Sequence, residues 1–193
     1  ASSDAYLRHA GSMGIQGAMT TSELAALSVH ENRTVRLAAI VALRRLKSAD
    51  VSAFLQDKDE LVLLEAARAI HDDLSIPEAL PDLAKLLRRS DLKNEALLRR
   101  VINAAFRNGS AADLELLADF LVSNQSVSSE MRAVALTSIL WWSAPPVLDP
   151  VDGRYRTLKQ REISPVNTVL EKLEATIFKD EVLTGVLLRG ALQ

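Results

Sequence analysis

Hydrophobic, small and polar positions recur along the chain in one twelve-residue pattern, which is clearest at 32–43. The pattern opens with a polar residue. An aliphatic residue follows three positions later and, in most copies, an arginine comes directly after it. Small residues lie four and seven positions after the aliphatic residue, and a second aliphatic residue lies eight positions after it. The copies cover 4–15, 32–43, 59–70, 95–106 and 128–139, and their first aliphatic residues are Leu7, Val35, Val62, Leu98 and Met131. Recurrence at intervals of about 30 residues is typical of helical repeat proteins.

The spacing within each copy predicts an amphipathic helix. Positions 0, 4, 7 and 8 lie on one face of a helix with 3.6 residues per turn. Small residues on that face allow a neighbouring helix to approach closely, and the aliphatic residues fill the space between the helices. The opening polar residue suits an N-cap, because its side chain accepts hydrogen bonds from free backbone N–H groups. One such unit is too small to bury its own apolar face, so the units must stack.

Shorter helical segments alternate with these copies and complete the hairpins. We expect first helices at 22–28, 77–89, 113–122 and 165–178, little more than a turn at 50–55, and a final helix at 183–192. Proline opens the helix at 77, and Ser164 is the predicted N-cap of the helix at 165. The predicted fold is therefore all-α, a right-handed superhelix of five to six hairpins that forms a single array over 1–193.

One segment, 143–163, interrupts this rhythm. It contains three prolines and one glycine, which prevent a helix from continuing: Pro145, Pro146, Pro150 and Gly153. We expect a proline-containing loop excursion between the fifth and sixth hairpins. Loops of this length without secondary structure are uncommon and are often functional.

Composition and charge narrow the possible functions. Ala and Leu make up close to a third of the 193 residues, which suits packed helices. The chain has no Cys, so a disulfide framework, a thiolate metal site, a cysteine nucleophile and covalent c-type haem are excluded. A net charge of −2 argues against a general nucleic-acid binder. No apolar run approaches ~18 residues, so no membrane insertion is expected. The chain does not begin with Met, and we expect a fragment of a longer protein.

Motifs of catalysis and metal binding are missing from the sequence. The histidines His9, His30 and His71 form no pair at metal-ligand spacing. There is also no Gly-x-Ser-x-Gly element and no glycine-rich phosphate loop. The prediction is a segment without enzymatic activity, metal or cofactor.

The face opposite the buried stripe predicts a binding surface. Positions 2, 6 and 9 of each copy, counted from its first aliphatic residue, are mostly apolar or basic and include no carboxylate. The predicted partner-binding groove consists of Arg44, Arg68, His71, Arg100 and Arg107. Arginine is suited to bidentate contacts with carboxylates. The alternative is that Arg68 pairs locally with Glu65 and that the other side chains are solvated.

A second candidate contact lies at and after the fifth copy. Spacing places Trp142 on the core side of its helix and Trp141 on the flank. We predict Trp141 as an aromatic contact for a partner, and Arg154 and Arg156, in the basic run 154–161, as contacts for an acidic neighbour. The alternatives are that the tryptophans anchor the loop and that the basic run is solvated.

The run 34–43, Thr-Val-Arg-Leu-Ala-Ala-Ile-Val-Ala-Leu, resembles the second helix of a HEAT repeat. A narrower resemblance, carried by 36–46, 64–81, 98–107 and 149–154, is to the HEAT-repeat region of large bacterial membrane-bound dehydrogenase or haem-binding proteins. Those proteins join a β-propeller, HEAT repeats and a c-type cytochrome. The resemblance implies an extracytoplasmic, periplasmic parent; otherwise a cytoplasmic location is expected. The haem-attachment Cys-x-x-Cys-His motif is absent, so the redox chemistry of that family transfers to no residue here.

Together these features predict a non-catalytic protein-interaction or scaffold module. Its partner would be a protein, either a neighbouring domain of the same chain or a separate molecule, and no nucleic acid is expected. One alternative is a HEAT-like DNA-repair glycosylase that binds DNA on its concave face, which the net charge disfavours. Another is a HEAT-like bilin lyase-related protein, which no particular residue supports. The oligomeric state stays open.

Overall fold

The computed structural model describes residues 5–72, 76–124 and 126–190, and the side chains of 5–9 lie outside that description. The fold is all-α, as predicted. The α-helices are α1 (Ala5–Ala18), α2 (Thr21–Ala26), α3 (Arg33–Arg45), α4 (Glu60–His71), α5 (Leu80–Ala84), α6 (Glu95–Asn108), α7 (Ala111–Ser123), α8 (Ser129–Leu140), α9 (Ser164–Ile177) and α10 (Glu181–Gly190). Short 3-10 helices lie at Leu27–Val29, Ala49–Gln56, Pro77–Ala79 and Lys85–Arg88. Within the described ranges there is no β-strand, and the β-structure consists of an isolated bridge between Leu148 and Tyr155.

The polar residues that open the repeat pattern cap several of these helices. Asn32 accepts a hydrogen bond from the N–H of Thr34, and Asp59 and Ser128 cap α4 and α8 in the same way. The prediction fails at Ser164, which is the first residue of α9, while Ile163 occupies the N-cap without a side-chain hydrogen bond. Pro165 lacks an N–H, so the first turn of α9 has one donor fewer that needs an acceptor.

The predicted helix at 77–89 is wrong in detail, because the structure breaks it into a 3-10 helix, α5 and a second 3-10 helix. Pro81 explains the break, since it cannot donate the hydrogen bond to the carbonyl four residues earlier that a continuous helix requires. The apolar spacing nevertheless holds: all four leucines that were predicted to face inward are buried, namely Leu80, Leu83, Leu86 and Leu87.

The helices form two compact units, Ala1–Leu83 and Ala84–Gln193. In the first unit α3 packs between α1 and α4, and the segment Ala49–Gln56 packs between α2 and Pro77–Ala79. In the second unit α8 packs between α6 and α10, and α7 packs between Lys85–Arg88 and α9. Each unit therefore has two layers. Within a layer, a helix contacts not the element that follows it in the chain but the one after that. A single array that runs through both units stays a prediction.

The buried stripe of the pattern is complete in three helices, lacks one position in α3, where Val35 is half-buried, and fails in α1. In α4, α6 and α8 the residues at positions 0, 4, 7 and 8 are all buried. In α1 the small residues Gly11 and Gly14 are exposed, and a Cβ atom at either would meet nothing within 4 Å. Close helix packing therefore does not explain these two glycines. Ser12 is buried instead, so α1 turns a different face towards its neighbour.

An arginine in the pattern links successive helices of one layer in each unit. In the first unit the Nε atom of Arg36 lies 2.7 Å from Oδ2 of Asp57, just before α4, and its Nη1 donates to the carbonyl of His30. In the second unit Arg132 of α8 pairs with Asp180, the residue that precedes α10. Both arginines directly follow the first aliphatic residue of their copy. We call each of these ion pairs an inter-helix clasp.

Asp180 both pairs with Arg132 and caps the start of α10. It accepts a hydrogen bond of 2.7 Å from the hydroxyl of Ser129 and bonds from the N–H groups of Val182 and Leu183 at the start of α10. Burial raises the pKa of Asp180, but these hydrogen bonds and the charge of Arg132 together outweigh burial, so that the pKa lies below its ordinary value. The ionised carboxylate is therefore the form that the fold stabilises.

We expect Asp180→Asn to lower the free energy of unfolding by about 1–3 kcal/mol at pH 7, because the amide keeps the N-cap acceptor but loses the charge that Arg132 needs. Since the pKa is lowered in the folded state, this stabilisation is complete above the unfolded value of about 4 and is lost as the pH falls through the folded value. Urea unfolding of both proteins at several pH values measures the difference.

The matched control is Asp91→Asn, which removes an exposed ion pair with Arg89 whose Nη2 and Oδ2 atoms lie 2.7 Å apart. An exposed pair contributes little, so this variant should unfold close to the wild type. Equal losses for Asp91→Asn and Asp180→Asn, or a loss for Asp180→Asn that does not decrease as the pH is lowered below about 4, would contradict the role of the clasp.

Candidate functional site

The segment 141–163 of the second unit contains no helix, and an ion-pair cluster orders its tip. The Arg156 side chain is only 5% exposed, and its guanidinium contacts the carboxylates of Asp149 and Asp152, with Nε 3.2 Å from Oδ2 of Asp149. Asp149 also accepts hydrogen bonds from the N–H groups of Val151, at 2.9 Å, and Asp152. The prediction of Arg156 as a contact for an acidic neighbour is therefore wrong, because its charge is satisfied inside the loop. Arg154 is exposed.

The other end of this loop is held by a cation–π contact. The guanidinium carbon of Arg161 lies 4.3 Å from the ring centroid of Trp142 and 5.2 Å from that of Phe106, and the two rings meet edge to face. Nη2 of Arg161 donates to the carbonyl of Phe106 at 2.7 Å, and its backbone N–H donates to the carbonyl of Ser143. Trp142 is buried, as predicted, and it anchors the loop to α6.

The surroundings of Arg161 are largely apolar. Burial lowers the pKa of Arg161, and the negative charge of Asp113 offsets part of that effect. Gly109 makes room for the guanidinium: a Cβ atom at this position would lie 2.5 Å from Nη2 of Arg161. Gly109 also ends α6 in the left-handed conformation, with φ of 72°. Glycine is therefore required at position 109 for two reasons: the positive φ of its backbone, and the space that the Arg161 guanidinium occupies.

Trp141 is half-buried and borders two clefts in the second unit. The first cleft, of about 470 Å³, lies between α8, the start of the loop and α10, and Leu140, Pro146 and Val186 line it. The second cleft, of about 210 Å³, lies between α6, α8 and the loop tip. Arg99, Glu130 and Pro150 are among its lining residues. Trp141 thus lines two concave surfaces.

The hydroxyl groups in these clefts are already engaged. Thr137 lines both clefts, and its Oγ1 donates to the carbonyl of Ala133 at 2.8 Å. Ser138, in the second cleft, donates to the carbonyl of Val134 at 3.0 Å. Because both donate to the main chain of their own helix, neither is placed beside a base that would activate it as a nucleophile. The clefts offer an apolar surface with polar edges.

The predicted groove residues of the first unit do not form an open basic row. Arg68 pairs with Glu65 on the preceding turn of α4, as the alternative interpretation predicted. His71 was predicted to face the groove, which is wrong: it is fully buried, and its Nδ1 lies 2.9 Å from a carboxylate oxygen of Asp72. The physical reason is that the last turn of α4 is enclosed on the side that the repeat pattern leaves open. Arg44 is half-buried.

The groove residues of the second unit are not fully exposed either. Arg100 is half-buried and donates from Nη1 to the carbonyl of Ala96 at 2.7 Å, and Arg107 is half-buried as well. Ala104 and Ala133, which the pattern places on the open face, are buried. All residues of α6 from Val101 to Phe106 are buried, so this helix has no open face over that stretch.

Comparison with known proteins finds no relative of this chain: no family model matches it, and no curated protein or solved structure is significantly similar to it.

Among the residues that the structure describes, no group of three acidic or histidine side chains is arranged to hold a metal ion. In the same residues, no helix has both the length and the apolar character that a membrane span needs. His9 lies outside the residues whose side chains are described.

Sequence reasoning missed the residues that order the loop. In the sequence Arg161 is only one member of the basic run 154–161, and no motif marks Asp149 or Asp152. A local signal was available, because Asp149 and Asp152 flank a turn that ends in Gly153, whose φ is 68°. The contacts of Arg161 with Trp142 and Phe106 have no local signal, since they join distant positions of the chain.

We expect Gly109→Ala to lower the free energy of unfolding by about 1–3 kcal/mol, because alanine is strained at positive φ and its methyl group displaces Arg161. The near-ultraviolet circular dichroism of the tryptophans should weaken at the same time, since Arg161 stacks on Trp142. Thermal and urea unfolding measure the loss.

A double-mutant cycle separates the two causes. In the Arg161→Ala background the steric conflict is gone, so Gly109→Ala should cost only the backbone strain, about 1 kcal/mol. Purely additive losses in the double variant would show that Gly109 and Arg161 are not coupled.

Proposed function

We propose that this chain is a non-catalytic protein-interaction or scaffold module built from stacked HEAT-like hairpins. The layered packing inside each unit supports this, because each long helix contacts the next-but-one helix of its layer, as in stacked hairpins. The two inter-helix clasps support it as well, since they join the same pattern position to the start of the next helix in both units. The resemblance to the HEAT-repeat region of dehydrogenase-like proteins makes a neighbouring domain or a separate protein the proposed partner.

Trp141 is the observation that carries the binding proposal. The fold buries Trp142 but leaves its neighbour Trp141 half-exposed between two clefts. Tryptophan is enriched among the residues that dominate the energy of protein interfaces, and such residues are surrounded by pockets that a partner fills. Arg189 adds positive charge beside the first cleft, whereas Glu130 balances Arg99 in the second. A protein segment with apolar side chains and acidic residues suits this surface.

We expect Trp141→Ala to abolish retention of specific partners while leaving the thermal unfolding temperature within a few degrees of the wild type, because the indole is partly exposed. The measurement is quantitative affinity purification from the source cells, followed by titration of each purified partner. The control is Val29→Ala in the first unit, since Val29 is 89% exposed and lies outside the clefts.

Partners that are lost with Trp141→Ala and kept with Val29→Ala support the proposal, and their titration should quench or shift tryptophan emission. The proposal fails if wild type and Trp141→Ala retain the same proteins with the same affinity. It also fails if the purified chain retains no protein.

A further inference from the structure

The short antiparallel ladder in the loop of the second unit has an open outer edge. Two hydrogen bonds flank the bridge between Leu148 and Tyr155: the N–H of Asp149 donates to the carbonyl of Arg154, and the N–H of Arg156 donates to the carbonyl of Val147, both at 2.8 Å. Tyr155 is therefore in a non-hydrogen-bonded pair, and its own N–H and C=O groups point away from the ladder. In the described part of the chain, no backbone–backbone hydrogen bond involves residues 157–160.

Exposure alternates along this edge. Tyr155, Thr157 and Lys159 are exposed, whereas Arg156 is buried and Leu158 is half-buried. An alternation with period two is typical of an extended strand with one face towards the protein. Tyr155 directs its backbone N–H and C=O groups to the outer edge, and the N–H of Thr157 makes no backbone hydrogen bond within the described residues. Residues 155–159 thus have the exposure pattern of an extended segment and follow a single bridge at Tyr155, and we call them the loop edge.

Apolar side chains lie beside the loop edge. Tyr155 is 70% exposed, and its cross-strand neighbour Leu148 is 56% exposed. Val147, next to Leu148, is 55% exposed. Non-hydrogen-bonded pairs bring their side chains close together, so Leu148 and Tyr155 form one exposed apolar surface. A tyrosine at such a position is a common anchor in protein interfaces.

The loop is ordered before any partner arrives. The contacts of Arg156 with Asp149 and Asp152 fix its tip, and the stacking of Arg161 on Trp142 fixes its far end. A binding segment that is already ordered loses less conformational entropy on association. The loop edge is therefore a preorganised binding surface.

Charge indicates which kind of segment fits. Arg156 pairs with both acidic residues of the tip and balances one of their two buried or half-buried negative charges, whereas Arg154, next to the loop edge, and Lys159 are exposed. The exposed charge along the loop edge is therefore positive, although the whole chain has a net charge of −2. Lysine on an edge strand opposes pairing with a second copy of the same edge, because like charges would face each other. An acidic strand meets no such repulsion.

We infer that the loop edge binds an extended, acidic segment of a partner protein, which adds to it as a β-strand beside Tyr155 and Thr157. Main-chain hydrogen bonds would hold the segment, and its alternate apolar side chains would cover Leu148 and Tyr155. This inference rests on the proposed interaction function, and it specifies a surface and a partner chemistry.

A phage-displayed library of random twelve-residue peptides tests the inference, with the full chain as bait. Enriched peptides should carry net negative charge and apolar residues at alternate positions, and synthetic labelled copies should be titrated by fluorescence anisotropy. Thr157→Pro should weaken binding at least tenfold, since proline lacks the N–H that the added strand needs. Thr157→Ala keeps that N–H and should bind within twofold of the wild type.

Thr157→Pro should keep the wild-type unfolding temperature, because among the described residues no backbone hydrogen bond uses the Thr157 N–H. If the variant does unfold earlier, Arg154→Glu with Lys159→Glu provides the second test, since this change leaves every loop-edge N–H in place. It should shift enrichment from acidic to basic peptides. Unchanged peptide preference in that double variant would overturn the inference.

Two further results would also overturn it. One is equal affinity of Thr157→Pro and wild type for the enriched peptides. The other is binding to phosphatidylserine vesicles that depends on Leu148 and Tyr155 while no peptide is enriched, which would assign the surface to a membrane. If Trp141→Ala loses its partners and Thr157→Pro keeps them, the loop-edge inference fails and the proposed function stands. If both variants keep the same partners, both fail.

Discussion

The inter-helix clasp is the constraint on which the packing of each unit depends. Apolar burial between two helices has no preferred direction, so it does not fix how far one helix slides along the other. A carboxylate that is largely removed from water must meet a positive charge and hydrogen-bond donors, or the fold is destabilised. Asp57 and Asp180 reach their arginines only when the next helix starts at one particular position along the axis of the preceding helix. The clasp therefore determines the register of successive helices, and apolar contacts supply most of the stability.

The same chemistry organises the loop, and this changes the meaning of the charge balance. Arg156 contacts two carboxylates, and Arg161 lies against two aromatic rings. These two arginines of the loop therefore stabilise its structure and are not available to a partner. Arg36 and Arg132 are likewise engaged in clasps. Counting arginines along the sequence overestimates the positive charge that a partner meets. What a partner meets depends on the side chains that the fold leaves exposed, such as Arg154 and Lys159.

Helical periodicity predicted the elements well and the open surface poorly, for a physical reason. The pattern places α3, α4, α6 and α8 within one or two residues of their observed starts, because capping and amphipathic spacing are local properties. It also assumes that a helix has one buried face and one open face. That assumption fails at His71 and Ala104, where neighbouring elements cover the second face as well. Pro81 was a local signal for the broken helix at 77–89, but the leucine spacing outweighed it in the prediction.

The two adjacent tryptophans show how local geometry and long-range contacts combine at the candidate site. Trp142 and Trp141 follow the last turn of α8, where consecutive side chains point about 100° apart, so one can face the core while the other faces outwards. Trp142 then holds Arg161, and Arg161 holds the loop whose first residues form one wall of the cleft beside Trp141. The core contact of one tryptophan thus shapes the surface around the other. The affinity of a partner that binds at Trp141 would therefore depend on whether the whole loop is ordered, including the edge at Tyr155 and Thr157.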